Sequence, residues 1–252
     1  MYICNSSWSF HRMIPKRMKF LDFPGKCAEL GIGAVELLED HFESRDPKYL
    51  DKVKSACKKA NVRIACLAIG NDFTIVDDKE REKQVEHVID SINMANYLGA
   101  PVIRAFCGTQ SVTDAAIHRV IESYKEVVPV AKKLNIKLGM ENHWGASVNP
   151  DNVLRIVDGV GSAYFGTCPD FGNWQPDDRY TAMAMVAPYA VHAHAKSYTF
   201  LPNGEEKDFD FRRILDILRD AEYNGALSIE FEGKGSEITG TKKTVALLKK
   251  YL

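Results

Sequence analysis

The chain has 252 residues, with 33 Lys and Arg against 34 Asp and Glu and a formal charge of -1. That length fits one large α/β domain with a substantial core. The near-neutral charge without a long basic run gives no electrostatic support for nucleic-acid or membrane-surface binding. No apolar stretch approaches the length needed to span a bilayer.

Met1 to Phe10 lacks a basic segment followed by an apolar one, so no signal peptide is expected. Short apolar runs then alternate with longer amphipathic segments. Tyr2 to Asn5 reads as a first strand, with a helix within Met18 to Leu30 ending at Gly31. Ala34 to Leu38 is the second strand, followed by a helix from Pro47 to Ala60. Val62 to Ile69 is the third, followed by Lys79 to Leu98 with Gly99 as its stop. Pro101 to Phe106 is the fourth, and its helix, Thr113 to Leu134, has a Thr cap and an internal Pro129 expected to kink or split it. Ile136 to Glu141 and Tyr164 to Pro169 are the fifth and sixth strands, with helices from Pro150 to Val157 and from about Asp178 to Val186. Ala190 to Ala195 and Ala226 to Phe231 close the series, with helices from Asp210 to Tyr223 and from about Lys242 to Tyr251.

Regular alternation argues for a parallel sheet with helical crossovers. Eight units without a linker in one chain of this length argue for a closed (β/α)8 TIM barrel spanning residues 1–252 as a single domain. Neither a GxGxxG nor a GxxxxGK[ST] loop is present, which removes the dinucleotide and P-loop alternatives. Six cysteines without a close CxxC pair read as reduced thiols in a cytoplasmic protein.

Functional groups of such a barrel sit at the C-terminal ends of its strands. Strand alternation puts Lys137, Gly139, Glu141 and His143 on one face and Ile136, Leu138 and Met140 on the other. Asn142 then points away from the inner face. The sixth strand ends in Asp170. The seventh carries His192, His194 and Lys196 in one phase, and the eighth carries Glu230 and Glu232. Carboxylates held close in a partly dry pocket repel one another, and a divalent cation relieves that repulsion. Glu141, Asp170, His194 and Glu230 form the expected ligand set. Three carboxylates and one imidazole suit one Mn²⁺, Mg²⁺ or Co²⁺, or Zn²⁺ with added water or substrate oxygens, against the alternative of ordinary ion-paired strand ends.

His192 lies one layer deeper, where a hydrogen-bonded core histidine steadying the layer above is the favoured reading. Lys196 lies one layer higher, nearer solvent, either as an exposed rim lysine or as a neutraliser of a substrate oxyanion. Inward Glu36 and Arg104 either pair with each other or clamp sugar hydroxyls, the clamp being preferred. Trp8, Phe10, Trp144 and Trp174 fall in loops, where aromatic faces stack on sugars or simply anchor the chain. His11 reads as a surface residue, and Gly233-Lys234-Gly235-Ser236 reads as a flexible loop rather than a phosphate cradle.

Taken together, these residues resemble the xylose isomerase-like TIM-barrel superfamily, in its sugar phosphate isomerase/epimerase branch. The carriers are Leu30 to Leu37, Glu141-Asn142-His143, Asp170-Phe171-Gly172-Asn173, Val191 to Lys196 and Ile229 to Gly233. The resemblance implies one divalent metal on Glu141, Asp170, His194 and Glu230, with Mn²⁺ favoured. It also implies that Glu141 and Glu230 form an acid/base pair on a small-molecule carbohydrate, shuttling a proton beside a polarised carbonyl. His143, Asn173, Lys196 and Trp144 join Glu36 and Arg104 as substrate contacts. Dimers and tetramers are common in this family.

Two positions depart from the ketose epimerases. Asn173 stands where they carry a His after the metal Asp, and Phe200 stands where they carry an Arg after the metal His. His194-Ala195-Lys196 is closer to the His-x-Lys of dehydratase branches. A metal-dependent lyase on a keto-sugar, keto-glycoside or cyclitol is therefore the alternative to an isomerase or epimerase. An apurinic-site endonuclease would need further His ligands that are missing here. A binding protein without turnover would not need two carboxylates beside a metal.

Overall fold

A computed structural model describes residues 1–109 and 112–252. The strands are β1 (Tyr2–Ser6), β2 (Ala34–Leu38), β3 (Arg63–Ala68), β4 (Val102–Ala105), β5 (Lys137–Glu141), β6 (Phe165–Cys168), β7 (Ala193–Ser197) and β8 (Ala226–Phe231). The helices are α1 (Phe23–Glu29), α2 (Pro47–Ala60), α3 (Asp78–Leu98), α4 (Asp114–Lys133), α5 (Pro150–Val160), α6 (Arg179–Val186), α7 (Phe211–Asp220) and α8 (Glu237–Tyr251). The strands pair in parallel in the order β6-β5-β4-β3-β2-β1-β8-β7. The remaining seam, β6 to β7, is closed by parallel bridges Thr167–Ala190 and Asp170–His194. This is a (β/α)8 barrel, as the alternation of elements predicts.

Local chemistry starts and stops the helices where the turn signals lie. Asp77 accepts a bond from the Glu80 amide to start α3, and Gly99, at φ +78°, ends it in the left-handed conformation. Thr113 caps α4 through the Ala116 amide, as expected. Pro129 does not split that helix, which runs unbroken through it. The last helix begins at Glu237, five residues before the expected Lys242, because Ser236 caps it by accepting from the Thr239 amide. Gly240 falls in its second turn, against the Phe231 ring. β7 begins and ends later than Ala190–Ala195, which places His194 and Lys196 within the strand.

The main core lies between sheet and helices. Val35, Leu37, Leu67, Ile103, Leu138, Leu227 and Ile229 point outward from the strands and are fully buried under Val53, Val88, Val120, Ile156 and Leu215. Glu141 of β5, His194 and Lys196 of β7, and Ser228 and Glu230 of β8 are buried polar residues on the inward phase. All six cysteines are buried and unpaired. Among the described residues no helix is long and apolar enough to cross a membrane.

A candidate metal centre at the ends of four strands

Strand alternation delivers Glu141 and Glu230 inward from β5 and β8, and His194 inward from β7. Asp170 follows the end of β6 and is set by its neighbours rather than by a long strand. Its amide donates to Asn142 Oδ1 at 2.6 Å, and Asn142 Nδ2 donates to its carbonyl at 3.3 Å. Its Oδ1 accepts from the Gly172 and Asn173 amides at 2.7 and 3.0 Å. The other oxygen, Oδ2, is buried and accepts no hydrogen bond among the described residues.

Glu141, Asp170, His194 and Glu230 are all buried, and one donor atom from each lies within 4.8 Å of the others. His194 Nδ1 is 3.1 Å from Glu141 Oε1, 3.5 Å from Glu230 Oε1 and 3.7 Å from Asp170 Oδ2. Three carboxylates and an imidazole converging with an orphaned oxygen among them form a site that can hold a divalent cation.

Charge compensation around the cluster is extensive. Arg104 Nε lies 3.2 Å from Glu141 Oε2, while its Nη1 donates to the Ile69 carbonyl at 2.9 Å. Burial alone would push the Glu141 carboxyl up, but His194 and Arg104 outweigh it and hold it down at about 2. Burial pushes Asp170 up to about 7; Lys196 works against this, and the repulsion of Glu141 and Glu230 adds to it. Burial disfavours a charged His194, yet Cys168 and the Glu230, Glu36 and Glu141 carboxylates raise its pKa well above the usual imidazole value.

The expected positions are met unevenly. Lys196 is not an exposed rim residue: it is 1% exposed, with Nζ 2.8 Å from Glu230 Oε2, 2.8 Å from Glu232 Oε1 and 3.4 Å from Asp170 Oδ2. Three carboxylates draw the ammonium inward, and Gly172 leaves room for its stem, since a Cβ there would lie 2.7 Å from Lys196 Cγ. The Glu36–Arg104 clamp does not form either. Glu36 is fully buried beneath the site and accepts from His192 Nε2 at 2.6 Å, while Arg104 pairs with Glu141. His192 is thus a buried, hydrogen-bonded histidine. Asn173 Nδ2 donates to Glu141 Oε1 at 3.3 Å, so that side chain faces the cluster.

A cavity of about 510 Å³ opens above the cluster. Glu141, Glu230, Lys196 and Arg104 line its floor, and Trp8, His11, Phe106, His143 and Trp144 line its walls. His143 packs edge-on to Phe106 and Trp144, with centroids 5.3 and 3.7 Å away. Burial lowers its pKa. Trp8 stacks on His11 at 4.4 Å and donates to Glu232 Oε1 at 2.6 Å, so His11 belongs to the cavity rather than to open surface. Phe10 and Trp174, expected as loop aromatics, are core residues at 0 and 3% exposure. The loop after β8 is pinned rather than free, because Arg12 Nη2 donates to the Gly233 and Gly235 carbonyls.

Sequence reasoning passed over two residues. Asn142 clasps the ends of β5 and β6, and its signal was an amide on the outward phase at a strand end, where an apolar residue is usual. Glu232 shares the phase of Glu230 and anchors both Lys196 and Trp8.

A family model described as xylose isomerase-like TIM barrel matches residues 24–251. An uncharacterised protein, MJ1311, of Methanocaldococcus jannaschii is 23% identical over 246 residues, covering 90% of this chain and 83% of that protein. The 3'-dehydrocarminate deglycosidase alpha subunit of a Microbacterium species is 21% identical, covering 69% of this chain and 70% of the relative. The D-psicose 3-epimerase of Clostridium cellulolyticum H10, solved with D-tagatose, superposes with a TM-score of 0.80 at 15% identity, covering 99% of this chain and 98% of that one.

Proposed function

Because the chain belongs to the xylose isomerase-like TIM-barrel family, we propose that it is a divalent-metal-dependent isomerase or epimerase of a small sugar or ketose, working through an enediolate. One observation carries this reading: four buried donor atoms lie within 4.8 Å of one another, and two of the residues that offer them, Glu141 and Glu230, line a cavity large enough for a monosaccharide. The favoured ion is Mn²⁺, with Mg²⁺, Co²⁺ and Zn²⁺ as alternatives. When bound, the ion supplies polarisation of a substrate carbonyl and charge to offset an enediolate. Glu141 and Glu230 then remove and return the proton on the carbon beside that carbonyl.

The surrounding residues prepare that pair. Arg104 and Asn173 hold the two oxygens of Glu141, and Lys196 holds Oε2 of Glu230. Both carboxylates are thereby fixed in place before substrate arrives. His143 and Trp144 form the wall against which a sugar ring packs. Six buried, unpaired thiols suit a reducing cytosol.

Elimination is the second reading. It is favoured by Lys196, which sits against Glu230 and Glu232 on the cavity floor, and by the deglycosidase relative. Both reactions begin with the same proton removal and part where a leaving group lies β to the carbanion. The test is metal analysis after chelation and re-addition, joined to NMR of ketoses and keto-sugars in D₂O. Deuterium incorporation without loss of water or alcohol supports isomerisation or epimerisation, and net elimination supports the lyase. Absence of any stoichiometric divalent ion would sink both.

A further inference from the structure

Beneath the cluster lies a second buried group that the proposed chemistry does not use. Glu36 projects inward from β2, across the barrel from β7, and is completely buried. Its Oε2 accepts from His192 Nε2 at 2.6 Å and lies 3.1 Å from His194 Nε2. Its Oε1 has no hydrogen-bond partner among the described residues. The opposite ring nitrogen of His194, Nδ1, is the one that faces Glu141, Asp170 and Glu230. Glu36 does not line the cavity above, whereas Leu38, two residues on along the same face, does.

An imidazole has two nitrogens, and a neutral ring offers a lone pair on only one of them. Which one is free decides whether His194 can act as a ligand. A carboxylate can only accept, so Glu36 holds a proton at Nε2, and a cation that displaces the proton from Nδ1 meets that nitrogen's lone pair in the cluster. The second bond, from His192, restrains Glu36 from the other side. With both histidines on the one oxygen, the carboxylate is held at a fixed height under the His194 ring.

We propose that Glu36 is a positioning residue which, held by His192, fixes His194 in the orientation and tautomer that presents Nδ1 to a divalent cation. This rests on the reading of the four-residue cluster as a metal site. Glu36 thus serves the metal rather than the sugar.

Calorimetric titration of chelated wild-type protein, Glu36→Gln and Glu36→Ala with Mn²⁺ tests the assignment. The Kd is expected to rise about 10- to 100-fold for Glu36→Ala. Glu36→Gln should rise less, because the amide oxygen still accepts from one ring. Thermal melts of the chelated proteins report whether each variant is folded. A folded Glu36→Ala with the wild-type Kd overturns the proposal. A second measurement needs no variant: ¹⁵N-histidine NMR of the Zn²⁺-loaded wild type. A His194 ring bearing its proton on Nε2 with Nδ1 on the metal supports the proposal, and the reverse assignment overturns it. Two equivalents of Mn²⁺ per chain would also overturn it, since Glu36, His192 and His194 would then form a site of their own. If the wild type takes up no ion, the metal reading itself falls and this inference with it. Uptake by wild type with unchanged affinity in Glu36→Ala removes only the role of Glu36.

Discussion

Replacing Lys196 with Met tests how the cluster balances its charge. The ammonium is 2.8 Å from both Glu230 and Glu232 and 3.4 Å from Asp170, and it is almost completely buried. Met fills most of the volume but leaves three carboxylates around an uncharged side chain. Breaking a buried ion pair from one side costs about 3–5 kcal/mol. For a domain of this size the unfolding entropy is about 0.5 kcal/mol per degree, so the metal-free variant should melt about 6–10 °C below the metal-free wild type. The comparison is made at pH 8, above the value of about 7 for Asp170 in the wild type; without Lys196 that carboxyl is pushed higher still, which is part of the cost. A divalent cation would take over part of the lost charge. At 1,000 times its Kd such an ion stabilises the folded state by about 4 kcal/mol in either protein. Because Glu141, Asp170 and Glu230 without Lys196 nearby bind it more tightly than with it, one fixed Mn²⁺ concentration should raise the melting temperature of Lys196→Met more than that of the wild type. Differential scanning fluorimetry with and without chelator reads both numbers. An unchanged melting temperature in the metal-free variant, or an equal Mn²⁺ shift in both proteins, would refute the reasoning.

Other expectations follow from the same geometry. Glu141→Gln and Glu230→Gln should each lower turnover of an accepted substrate by about 10²- to 10⁴-fold, with circular dichroism unchanged; full turnover by either removes it from the acid/base pair. Gly172→Ala places a Cβ 2.7 Å from Lys196 Cγ and 2.8 Å from Tyr198 Oη. Crowding of that kind costs about 1–3 kcal/mol, and denaturant melts with wild-type stability would show that the Lys196 stem is free to move. Burial lowers the pKa of His41 from 6.5 to about 4, so the folded protein binds that proton less tightly than the unfolded chain. Stability should therefore fall as the pH drops from 6.5 toward 4, by at most about 3 kcal/mol. In His41→Gln that part of the slope should disappear, and identical pH–stability curves would rule it out.

Much of this protein follows from period and punctuation along the chain. Eight apolar runs separated by amphipathic segments dictate parallel strands with helical crossovers, and their number dictates closure. Inside β5, β7 and β8 the two-residue alternation of a strand is strict, so Glu141, His194 and Glu230 could be placed on the inner face from their spacing alone. That rule stops at the strand ends. Asp170 lies beyond β6, where its direction is set by the Asn142 clasp and the bridge to His194 across the closing seam. Alternation says which wall a side chain faces but not how far a flexible one reaches, and Lys196 bends inward because three carboxylates surround its ammonium. Nor does it say which charges meet across the barrel. Arg104 and Glu36 both point inward, yet Arg104 meets Glu141 while Glu36 meets the two histidines of β7. Those pairings depend on strand stagger and on the relative heights of side chains from non-adjacent strands, which exist only once the sheet has closed. Period along the chain sets the barrel and the kinds of side chain at its rim; the closed sheet sets which of those groups touch, because burial leaves each charge only the partners that its layer provides.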